Sequence, residues 1–271
     1  MTIGRRDARP PLPATADRSA SGTGRATRIA AAFSWAMLVA TGPAFLPQPA
    51  LAAPAVARQT YTLTDFDTVR VDAPIEVVVT SGKGASALGT GDRAILDALT
   101  LDTSSGILTI RQRSGVILGG SGGKARAPTR LTLTTGDLRR AMLNGAGSLT
   151  VDRLKGGRTE ATVRGSGTLT IARVETDRLD IALIGAGSMI LTGKAIEIVA
   201  AVGGSGRLDA TGLDAQRIRI DTEGSIDARL TASGTTTATS NGTGRVTIAG
   251  KGQCVVRKTG NASIRCGGAD Y

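Results

Sequence analysis

The chain has 271 residues, a net charge of +11, only 2% aromatic residues and no histidine. Without histidine there is no Ser-His or Cys-His couple for nucleophilic catalysis, and a zinc site would lack its usual nitrogen ligands. Few aromatic rings also means few platforms for base stacking, so nucleic acid is not an expected partner.

Residues 1–28 are polar and carry Arg5, Arg6, Arg9, Arg18, Arg25 and Arg28 against Asp7 and Asp17. An apolar run follows over Ile29–Ala40, and Ala50-Leu51-Ala52 then offers small residues for cleavage. That order predicts a secretory signal peptide over 1–52, with a mature start at Ala53. A membrane anchor would need about twenty uninterrupted apolar residues, and Pro43 comes too early for one. The expected location is therefore outside the cytoplasm: periplasm, outer surface or secreted, with no transmembrane segment after processing. Residues 53–62 read as a linker, and 63–271 as a single domain.

From Tyr61 to Thr135 apolar residues alternate at a period of two, as in Phe66/Val69/Val71, Ile75/Val77/Val79, Leu108/Ile110 and Leu131/Leu133. These predict strands with one buried face. Only Asp92–Ala98 suits a short helical turn. Residues 114–126, with Gly119-Gly120-Ser121-Gly122-Gly123, predict a flexible loop.

After Ala141 one phrase recurs. It reads Leu-Asn-Gly-Ala-Gly-Ser-Leu-Thr-Val at 143–151, Val-Arg-Gly-Ser-Gly-Thr-Leu-Thr-Ile at 163–171 and Leu-Ile-Gly-Ala-Gly-Ser-Met-Ile-Leu at 183–191. The second glycines, Gly147, Gly167 and Gly187, are twenty residues apart, and equivalents follow at Gly206, Gly224, Gly244 and Ala262. Apolar pairs flank them at a spacing of two, such as Ala161/Val163 before Gly167 and Leu169/Ile171 after it, and the pattern slackens at Ala238/Ser240 and Val256/Lys258. Two short strands joined by a Gly-x-Gly corner, repeated every 18–20 residues, make one coil of a parallel β-helix. The predicted fold is thus an all-β solenoid, right-handed by the general preference of parallel crossovers. The corner glycines are Gly145, Gly147, Gly165, Gly167, Gly185, Gly187, Gly204, Gly206, Gly224, Gly242 and Gly244. Stacked coils lie about 4.8 Å apart, which leaves little room for side chains at such corners.

Three familiar motifs fail on inspection. Gly203–Asp209 imitates a calcium-binding nonapeptide, but its aspartate is one place late and no neighbouring coil repeats it. Gly122-Gly123-Lys124 imitates a phosphate-binding loop, yet Leu118 stands where glycine is required and Ala125 where a hydroxyl would hold the metal. Ser121–Lys124 with Lys258-Thr259-Gly260 imitates a serine β-lactamase set, which needs its Ser and Lys on a helix. No cofactor or metal is expected.

The stretch from Phe66-Asp67-Thr68-Val69-Arg70-Val71 through Ile75–Val79 resembles the opening of the auto-transporter adhesin head domain, or GIN domain. The serial glycine phrases and the close, Cys254 to Cys266, are similar too, so the likeness covers about 63–268. It implies a β-helical envelope or secreted protein with no established activity. Two cysteines in an exported chain meet an oxidising compartment, so Cys254 and Cys266 are expected to form a disulfide.

Two function classes compete. The first is a non-enzymatic surface module that binds an anionic glycan, a cell-envelope polymer or another envelope protein. Between Thr103 and Val151 lie Arg111, Arg113, Lys124, Arg126, Arg130, Arg139 and Arg140 against the single acid Asp137, a candidate polyanion surface. Met142, Ile184 and Ile190 replace polar residues of other coils and could form an apolar patch for a partner or second copy. The alternative is a polysaccharide lyase or hydrolase. Its carboxylates would be Asp209 and Asp227, read as the same register of successive coils, with Arg207 and Arg245 nearby.

Overall fold

The computed structural model describes residues 56–113 and 128–271. The expected signal peptide and the whole of the expected glycine loop, with Lys124 and Arg126, lie outside the described residues.

Parallel coils form the body, as the repeat predicts. Strands β2 (Thr68–Asp72) and β3 (Glu76–Ser81) meet at a corner, and β8 (Arg140–Gly145) and β9 (Ser148–Val151) repeat that shape one layer on. They stack in register, β2 on β8 and β3 on β9. Thereafter the chain runs as long strands that bend around the core: β10 (Leu154–Gly165), β11 (Thr168–Gly185), β12 (Ser188–Gly204), β13 (Arg207–Gly224) and β14 (Asp227–Gly242). The solenoid makes about 6 turns, and 73% of the described residues are in strands.

Alternation builds the interior. Val163, Leu183 and Val202 lie directly over one another on β10, β11 and β12, each 3% exposed or less. Leu169, Met189 and Leu208 form a parallel column across the corner, all at 0%. Burying each such side chain contributes roughly 1.5–3 kcal/mol. A core this narrow takes small aliphatic groups, and this is why so few aromatic residues are needed.

The corner has a fixed register. Gly145, Gly165, Gly185, Gly204, Gly224, Gly242 and Gly260 stack in one column, all with positive φ between +88° and +145°. Gly224 therefore matches Gly204, the first glycine of its corner, and not Gly206 as the repeat count suggests. Ile226 holds the second position in that coil, buried to 1%. The slip is two residues. Strand alternation has a period of two, so such a slip leaves every apolar residue on its expected face and is invisible to pattern reading.

Beyond β2 and β3 this end of the solenoid is a cap and not a further run of coils. Strands β6 (Ile107–Gln112) and β7 (Arg130–Thr135) add a parallel layer to β2 and β3, opposite β8 and β9. Antiparallel strands then close this end: β5 (Leu99–Ser104) on β6, β4 (Ser86–Gly91) on β7, and β1 (Ala57–Tyr61) on β4. The expected linker 53–62 thus contains a sheet strand. Helix α1 (Arg93–Ala98) packs Ile95, Leu96 and Ala98 inward, and the Asp92 carboxylate caps it by accepting from the Ala94 N–H at 2.8 Å. The Tyr61 hydroxyl donates to the Leu96 carbonyl at 3.0 Å and ties β1 to the helix.

At the far end β15 (Arg245–Ala249) and β17 (Ser263–Cys266) extend one sheet, while β16 (Cys254–Thr259) extends the other by pairing with β14. A short antiparallel strand, β18 (Ala269–Asp270), covers the outer edge of β17. Covering terminal strands in this way blocks strand addition by other chains.

Candidate functional site

Outward side chains fall into ladders that run along the solenoid, and their register decides the chemistry. Asp227 lies beside Arg207 and Arg245, while Asp209 lies beside Arg229. The two aspartates are therefore offset by two residues and do not share a register. Arg207 Nη2 and Arg229 Nη2 approach Asp227 Oδ2 at 3.5 and 3.3 Å. Asp209 accepts from the Thr211 hydroxyl at 2.7 Å and the Thr211 N–H at 3.2 Å. Those two hydrogen bonds, with smaller help from Arg229 and Arg207, hold its carboxyl below its ordinary range. A general acid needs the opposite shift. Among the described residues no cluster of three His, Cys, Asp or Glu side chains suits a metal ion.

The basic residues of 111–140 do not share one face. Arg111 is on β6, before the corner, and Arg130 is on β7, beyond it. Each meets an acid supplied by the coil between: Arg111 Nε lies 3.6 Å from Asp72 Oδ2, and Arg130 Nη2 lies 2.8 Å from Glu76 Oε1. Arg139 Nη1 is 3.8 Å from Asp67 Oδ2. The linear excess of basic residues is thus partly neutralised, because β2 and β3 insert their acids between β6, β7 and the later coils.

A smaller set does converge. Arg139, Arg140 and Arg158 line a pocket of about 300 Å³ together with Asp67, Thr159 and Glu160. Arg158 Nε is held at 2.6 Å by Asp180 Oδ2. Arg140 makes no ion pair among the described residues. Thr159 is buried to 1%, and its hydroxyl has no hydrogen-bond partner. Arg158 lies outside the basic stretch singled out above. The repeat points to it, because the parallel register sets Glu160 beside Arg140 and residue 158 lies two positions earlier on the same strand.

A groove of about 640 Å³ runs along the side of β10–β13 and mixes Lys155 and Lys194 with Glu175, Asp177 and Asp214. Met142 and Ile184 share a face but sit two coils apart, and Ile190 lies past the corner, so the three do not make one patch. The disulfide is present: Cys254 and Cys266 are bonded, with Cα atoms 6.3 Å apart, and join the last two solenoid strands.

No curated protein matches the chain. Solved structures share its fold. A protein from Bacteroides fragilis NCTC 9343 described as "a putative adhesin" is 16% identical with a TM-score of 0.71, over 79% of this chain and 97% of that one. A "Putative lipid binding protein" from Parabacteroides distasonis ATCC 8503 is 18% identical with a TM-score of 0.61, over 78% and 96%. A third, "a putative adhesin" from Parabacteroides merdae ATCC 43184, is 15% identical with a TM-score of 0.60, over 78% and 95%. Residues 65–252 match the family described as "Putative auto-transporter adhesin, head GIN domain", and the chain belongs to that family.

Proposed function

We propose that the protein is an exported, non-enzymatic module of the cell envelope or surface that holds an anionic polymer. The observation that carries this reading is the pocket where Arg139, Arg140 and Arg158 converge beside the unpartnered Thr159 hydroxyl. Guanidinium groups suit sulfate, phosphate and carboxylate groups, which they grip through paired N–H donors. Membership in an adhesin-head family and the likeness to structures described as adhesins support the surface role. The lyase or hydrolase reading loses its motivating pair, since Asp209 and Asp227 each lie beside an arginine.

Heparin is a suitable probe of the binding. Its affinity should be modest and should fall steeply between low and physiological salt. Arg139→Ala with Arg140→Ala should weaken it at least tenfold, while Arg111→Ala with Arg130→Ala should change it little. Binding to neutral glycans that survives high salt would remove the electrostatic reading. Release of reducing or unsaturated sugar ends from a polysaccharide would move the assignment to an enzyme.

A further inference from the structure

The outer face formed by the strands that lead into the corners carries one column of charged side chains farthest from the corner, Arg158, Arg178, Glu197 and Arg217, and three more columns nearer to it. Over β11 and β12 these three columns hold Asp180 and otherwise only small or apolar groups: Ala182, Ile184, Val199, Ala201 and Gly203. Ile184 stands out at 52% exposure. In the same column Gly203 has no side chain between Ile184 and Glu223, which leaves a notch open to solvent. Charge returns on both flanks, with Glu160 and Arg164 on β10 and Arg219 and Glu223 on β13. Neither Arg164 nor Glu223 makes an ion pair with a described residue.

From this arrangement we infer that the face docks onto a second copy of the chain about a twofold axis. The axis lies in the plane of the face, parallel to the strands and midway between β11 and β12. Rotation about it keeps each residue in its column and reverses the order of the coils. Arg164 then opposes Glu223 of the second copy, and Glu160 opposes Arg219, each contact occurring twice. Ile184 enters the Gly203 notch, and Ala182 meets Ala201. This is the self-complementarity that an isologous interface requires. Farthest from the corner Arg178 comes opposite Glu197, and Arg158, which Asp180 holds in its own chain, comes opposite Arg217. Two acids face neutral groups under the same rotation, Asp180 opposite Val199 and Asp221 opposite Thr162. Both already have partners in their own chain: Arg158 and Arg178 hold Asp180, and Arg219 holds Asp221.

The size is adequate for a reversible dimer. Six coils about 4.8 Å apart and three columns about 7 Å apart give a face of roughly 600 Å² per copy, or about 1,200 Å² in all. That is the lower end for specific interfaces, so the dimer should depend on concentration. The face adjoins the anion pocket at Glu160 and Arg140, so the test uses charge reversals at Arg164 and Glu223, which do not line that pocket.

Sedimentation velocity on the full chain, from micromolar to submillimolar concentration, tests it. The parent should dimerise. Arg164→Glu and Glu223→Arg should each weaken the dimer at least tenfold, and the double variant Arg164→Glu/Glu223→Arg should restore it. Gly203→Leu fills the notch on an open face without straining the fold, and should also leave a monomer. A parent that stays monomeric at every concentration would overturn the inference. So would a dimer indifferent to the single reversals, or a double variant no better than either single one.

Discussion

Gly165 sits directly on Gly145 at the solenoid corner, where a Cβ on Gly165 would come within 2.7 Å of the Gly145 carbonyl oxygen. Its φ of +116° is one that residues with a side chain rarely adopt. Two penalties therefore fall on the same position.

The corner register predicts an order of sensitivity. Gly165→Ala should destabilise by about 1–3 kcal/mol from backbone strain alone, with crowding added. Gly167→Ala carries no positive-φ penalty, so its cost is crowding alone: a Cβ there would meet the Gly147 carbonyl oxygen at 2.6 Å, much as at Gly165. Thermal melts should therefore rank Gly165→Ala as the more damaging change. The reverse ranking would contradict the register.

Asp209 supplies a titration test. Its folded-state pKa is lowered, first by the Thr211 hydroxyl and then by the Thr211 N–H. The stability it contributes is therefore present above its unfolded pKa and is lost as pH falls through the depressed value. Carboxyl chemical shifts followed against pH should place Asp209 below the ordinary carboxylate range, and Thr211→Val should raise it. A titration above that range would return Asp209 to the list of acid catalysts.

The disulfide should act locally. It closes a sequence separation of 12 residues, worth on the order of 3 kcal/mol on the chain-entropy model. Strand β16 has β14 as its one ladder partner, so the terminal coil is the part held least firmly. In a Cys254→Ser/Cys266→Ser variant, hydrogen exchange should quicken over 254–270 while β10–β13 stay protected. Uniform loss of protection would show that the bond supports the whole solenoid.

Tyr61 tests the cap. Losing its hydrogen bond to the Leu96 carbonyl in Tyr61→Phe should cost about 1 kcal/mol. Burial, and secondarily the Asp97 charge, raise its pKa. The neutral phenol's contribution is thus complete below the unfolded pKa and fades as pH rises through the raised value. Ultraviolet titration in a Tyr271→Phe background should show phenolate forming later than in a free tyrosine. An ordinary titration would argue that β1 does not pack as described.

Period-two alternation and the serial glycine phrases determined the fold class, the coil length and the inward columns, because each coil states its own buried face within a few residues. The corner glycines of the first three phrases were equally legible, since sterics at a stacked corner act locally. The register at Gly224 was not, because a two-residue slip preserves the alternation and only pairing with Gly204 and Gly242 resolves it. That single slip misplaced Asp227 beside Asp209 and suggested a carboxylate pair. Tertiary structure likewise decided that β2 and β3 lie between the cap and the later coils, so that Asp72 and Glu76 neutralise Arg111 and Arg130. It also brought Arg158 to Arg139 and Arg140. Which charges meet depends on how the coils stack, and stacking is a property of paired backbones that no one segment of the sequence contains.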